Sequence, residues 1–413
     1  MPLRPRSIDG SVTVLANPPE VPAGPLEGIR VVDLSTVMMG PFATQILGDY
    51  GADVVKVEPP GGDVMRHAPP MRNPGMGAMY MQGNRNKRSV ILDFKREPAK
   101  RALLRLCENA DVLVHNVRPA AMKRLGLGPD EICARCPRIV YLSLVGYGGS
   151  GPYAGRPAYD DLIQGAAGLP ALYGKVSGEE PRYVPLAAAD RIVGLNAVHA
   201  ILAALLHRER SGRGQAIEVP MFETLAQFVL GDHIGGRAFD PPLGPPGYHR
   251  LLQPDRRPYR TRDGHICVLV YTDGHWRSFF DAIGRPGDFA KNPLFHDIRV
   301  RADRYGEAYA FVAAEIAKRD TADWIETLGR HDIPFAPMHD LNSLIDDPHL
   351  EAAGFFKEID HPSEGRIRLT GPPARWSETP SAIRRHPPRP GEHTREVLAE
   401  AGYSQAEIDG ITS

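Results

Sequence analysis

The sequence predicts an α/β protein whose large part is a Rossmann-like, doubly wound parallel sheet. Three observations carry that expectation. Ile29-Arg-Val-Val-Asp-Leu34, a helical pattern opened by Pro41 and stopped at Gly51, and Asp53-Val-Val-Lys-Val57 form a compact strand–helix–strand unit, whose strands must run parallel. The alternation then repeats, with strands over 89–94, 111–117 and 138–145 separated by helical segments. The strand segments are short apolar runs, as expected of strands covered on both faces.

Each element has its own sequence signals. Pro41 near a helix start and Gly51 just past its end bracket the first helix. A second helix is expected from Glu97 to about Asn109, and two short helices before the strand at 138–145. Asp160 and Asp161 open a helix that ends near Gly168. A long apolar helix is expected from Asp190 to Leu206, followed by a strand over 215–219 and a helix over 222–230. Residues 235–258 hold six prolines and few apolar runs, which marks a linker. Beyond it come a turn at Arg262-Asp-Gly264, a strand over 265–271, and helices from Asp273 and over 304–318. Strands around 355–359 and 366–369 and helical pieces near 393–401 and 404–411 complete the chain.

Composition narrows the function. Acidic and basic residues number 50 and 49, leaving a net charge of −1, which argues against a protein that grips nucleic acid through its overall field. Lysines number 9 and arginines 40, so an arbitrary basic cluster carries little weight. Four cysteines in 413 residues argue against a disulfide scaffold and fit a reducing cytoplasm. Cys133 and Cys136 lack a second pair or nearby histidines, so no metal site is expected. Residues 1–23 are proline-rich, lack the apolar core of a signal peptide, and read as a flexible tail. The apolar stretch 195–206 is broken by Asn196 and His199 and is too short to span a bilayer. The first strand–helix turn, Ser35 to Pro41, has one glycine and nothing like G-x-G-x-x-G, and no Walker loop is present, which excludes the usual NAD and ATP sites.

Several segments, in order along the chain, resemble the family III CoA-transferases, a group that includes the α-methylacyl-CoA racemases. They are Gly24-Pro-Leu-Glu-Gly-Ile-Arg-Val-Val-Asp-Leu34, Gly40-Pro41, Gly51-Ala-Asp-Val-Val-Lys-Val-Glu58 and Asn84-Arg-Asn-Lys-Arg-Ser-Val90. Ala110-Asp-Val-Leu-Val-His-Asn116, the 202–214 segment ending Ser-Gly-Arg-Gly, and Pro390-Gly-Glu-His-Thr394 continue the match. The resemblance implies a large CoA-binding domain formed by 24–220 and a returning segment within 336–413, with a linker over 221–258 and a small α/β domain over 259–335. It also implies an interlocked homodimer, and acyl-CoA and a carboxylic acid as substrates, with no tightly bound cofactor.

The resemblance also nominates residues. Val37, Met38 and Met39 would line the pantetheine tunnel, where methionines suit a flexible thioester chain. Leu92 and Lys95, then Asn116, Val117 and Arg118, then Arg124 and Leu125 would meet the nucleotide end of CoA; a guanidinium fits phosphate bidentately. A family arginine after the second strand is replaced here by Pro59. Asp190 matches the aspartate that attacks the acyl carbonyl and retains the thioester's energy in covalent intermediates. Read without the resemblance, Asp190 is a helix cap. Racemases carry a His-Asp pair upstream; here it is Tyr159-Asp160, and tyrosine, with an unperturbed pKa of about 10, is a poor base at neutral pH. That swap favours transfer over racemisation, and leaves a catalytically degenerate acyl-CoA-binding protein as the other alternative. Tyr159 would line the thioester end of the tunnel. Gly244-Pro-Pro-Gly247 is the nearest match to a glycine-rich cover loop.

Overall fold

The structure, a computed structural model, describes residues 23–412. Six parallel strands form the main sheet: β1 (Arg30–Asp33), β2 (Asp53–Glu58), β3 (Lys87–Ile91), β4 (Val112–His115), β5 (Val140–Val145) and β6 (Gln215–Pro220). Their order is β3-β2-β1-β4-β5-β6, so the winding reverses between β1 and β4. The doubly wound parallel sheet expected from the sequence is present, and the segment at 215 supplies its sixth strand. A crevice opens beyond the carboxyl ends of strands at such a reversal, and that is where ligands bind in open α/β sheets.

Two apolar layers sandwich the sheet. Val31, Val54, Val112, Val114, Val140 and Leu142 pack on one side beneath the helices Met39–Asp49 and Ala188–Ser211. On the other side Val32, Val55, Val90 and Leu113 meet the helix Glu97–Glu108 and the carboxyl-terminal helices Thr394–Glu400 and Gln405–Thr412. The last part of the chain thus returns to the first sheet: the His393 N–H donates to the Ser89 carbonyl at 2.9 Å and the Asn86 N–H to the Arg385 carbonyl at 3.1 Å. The helix Ala188–Ser211 is longer than the stretch 190–206 expected from the sequence. Its length and apolarity equal those of a membrane span, but here Val193, Ala197, Ile201 and Ala204 are core residues.

Strands β7 (Tyr259–Arg260), β8 (His265–Val268) and β9 (Phe335–Pro337) form a separate antiparallel sheet. It has its own core, built around Trp276, Phe279, Phe280 and Trp324. A hairpin of β10 (Phe356–His361) and β11 (Gly365–Thr370) follows. Some element boundaries move. The strand expected over 89–94 runs Lys87–Ile91, because Asn86 turns the chain with φ at 60° just before it and Asp93 accepts the Lys95 N–H in a turn just after. The strand expected over 265–271 stops at Val268.

Candidate active site

The carboxyl ends of β1 and β4 are tied across the reversal by one side chain. Asn116, directly after β4, accepts the Thr36 N–H at 3.0 Å and donates its amide to the Thr36 carbonyl at 2.8 Å. The next residue, Val37, has φ at 71°, a conformation that a β-branched residue adopts only when its surroundings enforce it. The enforcement is visible. The Val37 N–H donates to Asp63 at 3.1 Å, and the fully buried Lys56 ammonium bridges the Ser35 carbonyl at 2.8 Å and Asp63 at 2.9 Å.

Below this turn lies a buried charge network. Lys87 donates to Asp33 at 3.1 Å, and Asp33 also accepts from Ser35 and Thr44. Burial alone would raise the Asp33 carboxyl, but the Lys87 and Lys56 charges and the two hydroxyls outweigh it and hold it at about 2. Burial opposes the charge on Lys56, and Asp33 and Asp63 restore it, leaving its pKa raised. Next to it Arg66 pairs with Glu58 at 2.6 Å, both buried. Such networks make little net contribution to stability, yet each is costly to break. This one fixes the shape of the turn.

The residues nominated from the sequence fall into distinct settings. Met38 and Met39 are buried, Met39 within the core under the long helix. The Leu92 side chain is also a core residue, and Val117 and Leu125 are half-buried against the same apolar layer. Packing accounts for the Met39 and Leu92 side chains and for the covered faces of Val117 and Leu125. Lys95, Arg118 and Arg124 are exposed, and none of their cationic groups bonds to a described residue. These are three free cations at the exits of β3 and β4. The Pro59–Asp63 segment makes a tight turn, with the Gly62 N–H donating to the Pro59 carbonyl at 2.8 Å. Gly244–Gly247 folds back on 233–236, where the Gly247 N–H donates to the His233 carbonyl at 2.8 Å.

Asp190 is not a helix cap. The cap position of Ala188–Ser211 is Ala187, and Asp190 is the third helical residue. Its carboxylate is half-buried and accepts no hydrogen bond from any described residue. Asp160 comes to it instead: one Asp160 oxygen accepts the Asp190 N–H at 2.9 Å and the other accepts from Gln164. Asp160 therefore caps a helix other than its own, since Tyr159 holds the cap position of Asp160–Ala166. Burial, then the Asp160 charge, push the Asp190 carboxyl up to about 6 against the opposing charge of Arg191. Tyr159 is 67% exposed.

A glycine lets the helix that carries Asp190 approach the helix Met39–Asp49 closely. A Cβ at Gly194 would lie 2.9 Å from the Met39 carbonyl oxygen and 2.9 Å from the Phe42 ring, so the two helices touch backbone to backbone there. Asp190 stands one turn earlier on that face, and helical side chains lean toward the amino end. The turn of helix that carries Asp190 thus lies next to the contact with Met39 and Phe42. Arg191, beside it, lies 4.4 Å over the Phe42 ring.

The model of CoA-transferase family III matches residues 26–394 of the chain. The chain belongs to that family. The chain is 33% identical over 395 residues to a probable fatty acyl-CoA transferase of Mycobacterium tuberculosis, covering 92% of this chain and 99% of that one. It is 32% identical to a succinyl-CoA:mesaconate CoA-transferase of Haloarcula hispanica, over 92% and 97% of the two chains. A crystal structure of a hypothetical Mycobacterium tuberculosis protein superposes with a TM-score of 0.78 at 31% identity, covering 91% of this chain and 99% of that one. The protein is thus a family III CoA-transferase, an enzyme whose class acts on CoA thioesters.

For this CoA-transferase, sequence reasoning missed Thr36, Lys56, Asp63, Arg191 and Gly194. Only Gly194 had a readable signal, because a glycine inside a helix costs about 1 kcal/mol relative to alanine and implies a close approach. A cavity of about 350 Å³ at the amino ends of the strands, lined by Arg30, Asp53, Asn86, Arg88, Arg384 and Arg385, lies at the wrong end of the sheet for this chemistry. Arg30 and Arg88 there are already paired with Asp53.

Proposed function

We propose that this enzyme moves CoA between an acyl-CoA and a carboxylic acid, with Asp190 as the nucleophile. One observation carries the reading: a half-buried carboxylate, free of hydrogen bonds from the described residues, at the amino end of a helix that packs closely against Met39, just beyond β1. The Asp190 carboxylate attacks the acyl carbonyl, forming a mixed anhydride and expelling the CoA thiolate. That thiolate attacks the aspartyl carbonyl, releasing the first acid and leaving an aspartyl-CoA thioester. The incoming carboxylate then displaces CoA to form a second anhydride, and the thiolate attacks its acyl carbonyl. New acyl-CoA departs and Asp190 is restored. A positive helix end stabilises the ionised form, while burial keeps it poorly solvated and reactive.

Arg118, Arg124 and Lys95 would hold the CoA phosphates, since each is an exposed cation with no protein partner among the described residues. Asn116 and the backbone of Val37–Met39 would border the pantetheine arm, and Tyr159 the thioester end. We assign residues 24–220 and the return within 336–413 to one CoA-binding domain, 221–258 to a linker and 259–335 to a small domain. An interlocked homodimer fits the exposed apolar side chains Tyr159, Leu162, Leu186, Phe228 and Leu243. The four free cysteines fit a reducing cytoplasm. Asp190→Ala should abolish transfer and retain acyl-CoA binding; transfer at the wild-type rate would remove Asp190 from the mechanism.

A further inference from the structure

We propose that Arg191 selects the acyl group: its guanidinium receives the distal carboxylate of a dicarboxylic substrate, giving preference over a monocarboxylate of equal length. This rests on the reading of Asp190 as the residue that accepts the acyl group.

Four observations support the assignment. Arg191 follows Asp190 in the first turn of the long helix, and the two charges interact across the short distance between them. Its guanidinium lies 4.4 Å over the Phe42 ring, a platform that holds the group and leaves its N–H edge free. That edge makes no hydrogen bond or ion pair with any described residue. Among the described residues the buried arginines Arg66, Arg85, Arg208 and Arg301 are paired, with Glu58, Asp49, Asp111 and Asp273, whereas the half-buried Arg191 is not. Burial also lowers the pKa of Arg191, with Asp190 opposing, so its charge is poorly served by water and gains from a carboxylate partner.

Position decides which carboxylate is bound. Arg191 forms no ion pair with Asp190. It stands back from the reacting centre, over Phe42, where the far end of a short acyl chain would lie. The Asp160 and Asp190 carboxylates would repel a second anionic group there, and a cation at this place removes that penalty.

The test compares kcat/KM for succinyl-CoA and butyryl-CoA as donors to one common acceptor. A charge-assisted hydrogen bond implies a preference for succinyl-CoA of roughly 10-fold to 150-fold in the unsubstituted enzyme. Arg191→Gln should collapse the ratio to about threefold or less, and Arg191→Lys should restore part of it. Absence of any preference in the unsubstituted enzyme would overturn the proposal. So would an Arg191→Gln variant that loses both donors in proportion, which would place Arg191 on the reacting carboxylate. The affinities of Asp190→Ala for the two thioesters read the same selectivity without the covalent step. A ratio that survives there, while the unsubstituted protein turns over without forming an Asp190 adduct, would overturn the nucleophile and keep the selector.

Discussion

Replacing Asp160 by asparagine should move the pH dependence of acyl transfer to lower pH. Asp190 sits at about 6 because burial, first, and the Asp160 charge, second, disfavour its ionised form. The substitution removes that charge while keeping an oxygen for the Asp190 N–H, now accepted at 2.9 Å. One partner is lost: Gln164 donates to the other Asp160 oxygen, which costs about 1 kcal/mol when that atom becomes an amide nitrogen. Two unit charges about 6 Å apart interact by roughly 0.7 kcal/mol in water and roughly 3 kcal/mol at an effective dielectric of 20. A half-buried pair lies between, so the Asp190 pKa should fall by about 0.5 to 2 units. The ionised carboxylate is the nucleophile, so kcat/KM for acyl-CoA rises with pH through about 6 in the unsubstituted enzyme. In Asp160→Asn that rising limb should shift down. Stability carries the matching sign. The folded protein holds the Asp190 proton up to about 6 against 3.8 for an ordinary aspartate, so this group costs stability as pH rises across that window. The variant should flatten that loss. A limb that stays in place, or moves up, in a folded variant would refute the electrostatic coupling.

Two further substitutions probe the scaffold. Gly194→Ala would set a methyl 2.9 Å from the Met39 carbonyl and the Phe42 ring, costing about 1–3 kcal/mol against about 1 kcal/mol returned by helix propensity. It should therefore lower kcat/KM more visibly than the melting temperature, and full activity would contradict the close approach. Lys56→Met leaves Asp63 buried without its cation and should cost about 3–5 kcal/mol in urea unfolding. A loss under about 1 kcal/mol would show that the pair does not hold the Val37 turn.

The sheet was legible because its strands are short, mostly apolar runs and its first helix is bracketed by proline and glycine, signals that act over a few residues. Asp190 was nominated only through the resemblance. Local chemistry suggested a cap, but the helix begins two residues earlier, at Ala188, with Asp160 arriving from another helix to bind the Asp190 N–H. The Lys56–Asp63 pair and the Asn116–Thr36 clamp join residues 7 and 80 positions apart, and no periodicity reports such pairs. Met39, expected in the pantetheine tunnel, and Leu92, expected at the nucleotide end, both have side chains that pack in the core, a placement that no local signal distinguishes from a lining position.

The most direct test is to incubate the protein with an acyl-CoA, quench with hydroxylamine, and map the modified peptide by mass. A hydroxamate on Asp190, absent without acyl-CoA, is the predicted result. An unmodified Asp190 in protein that is turning over, or deuterium entering the substrate's α-carbon with no adduct, would contradict the account.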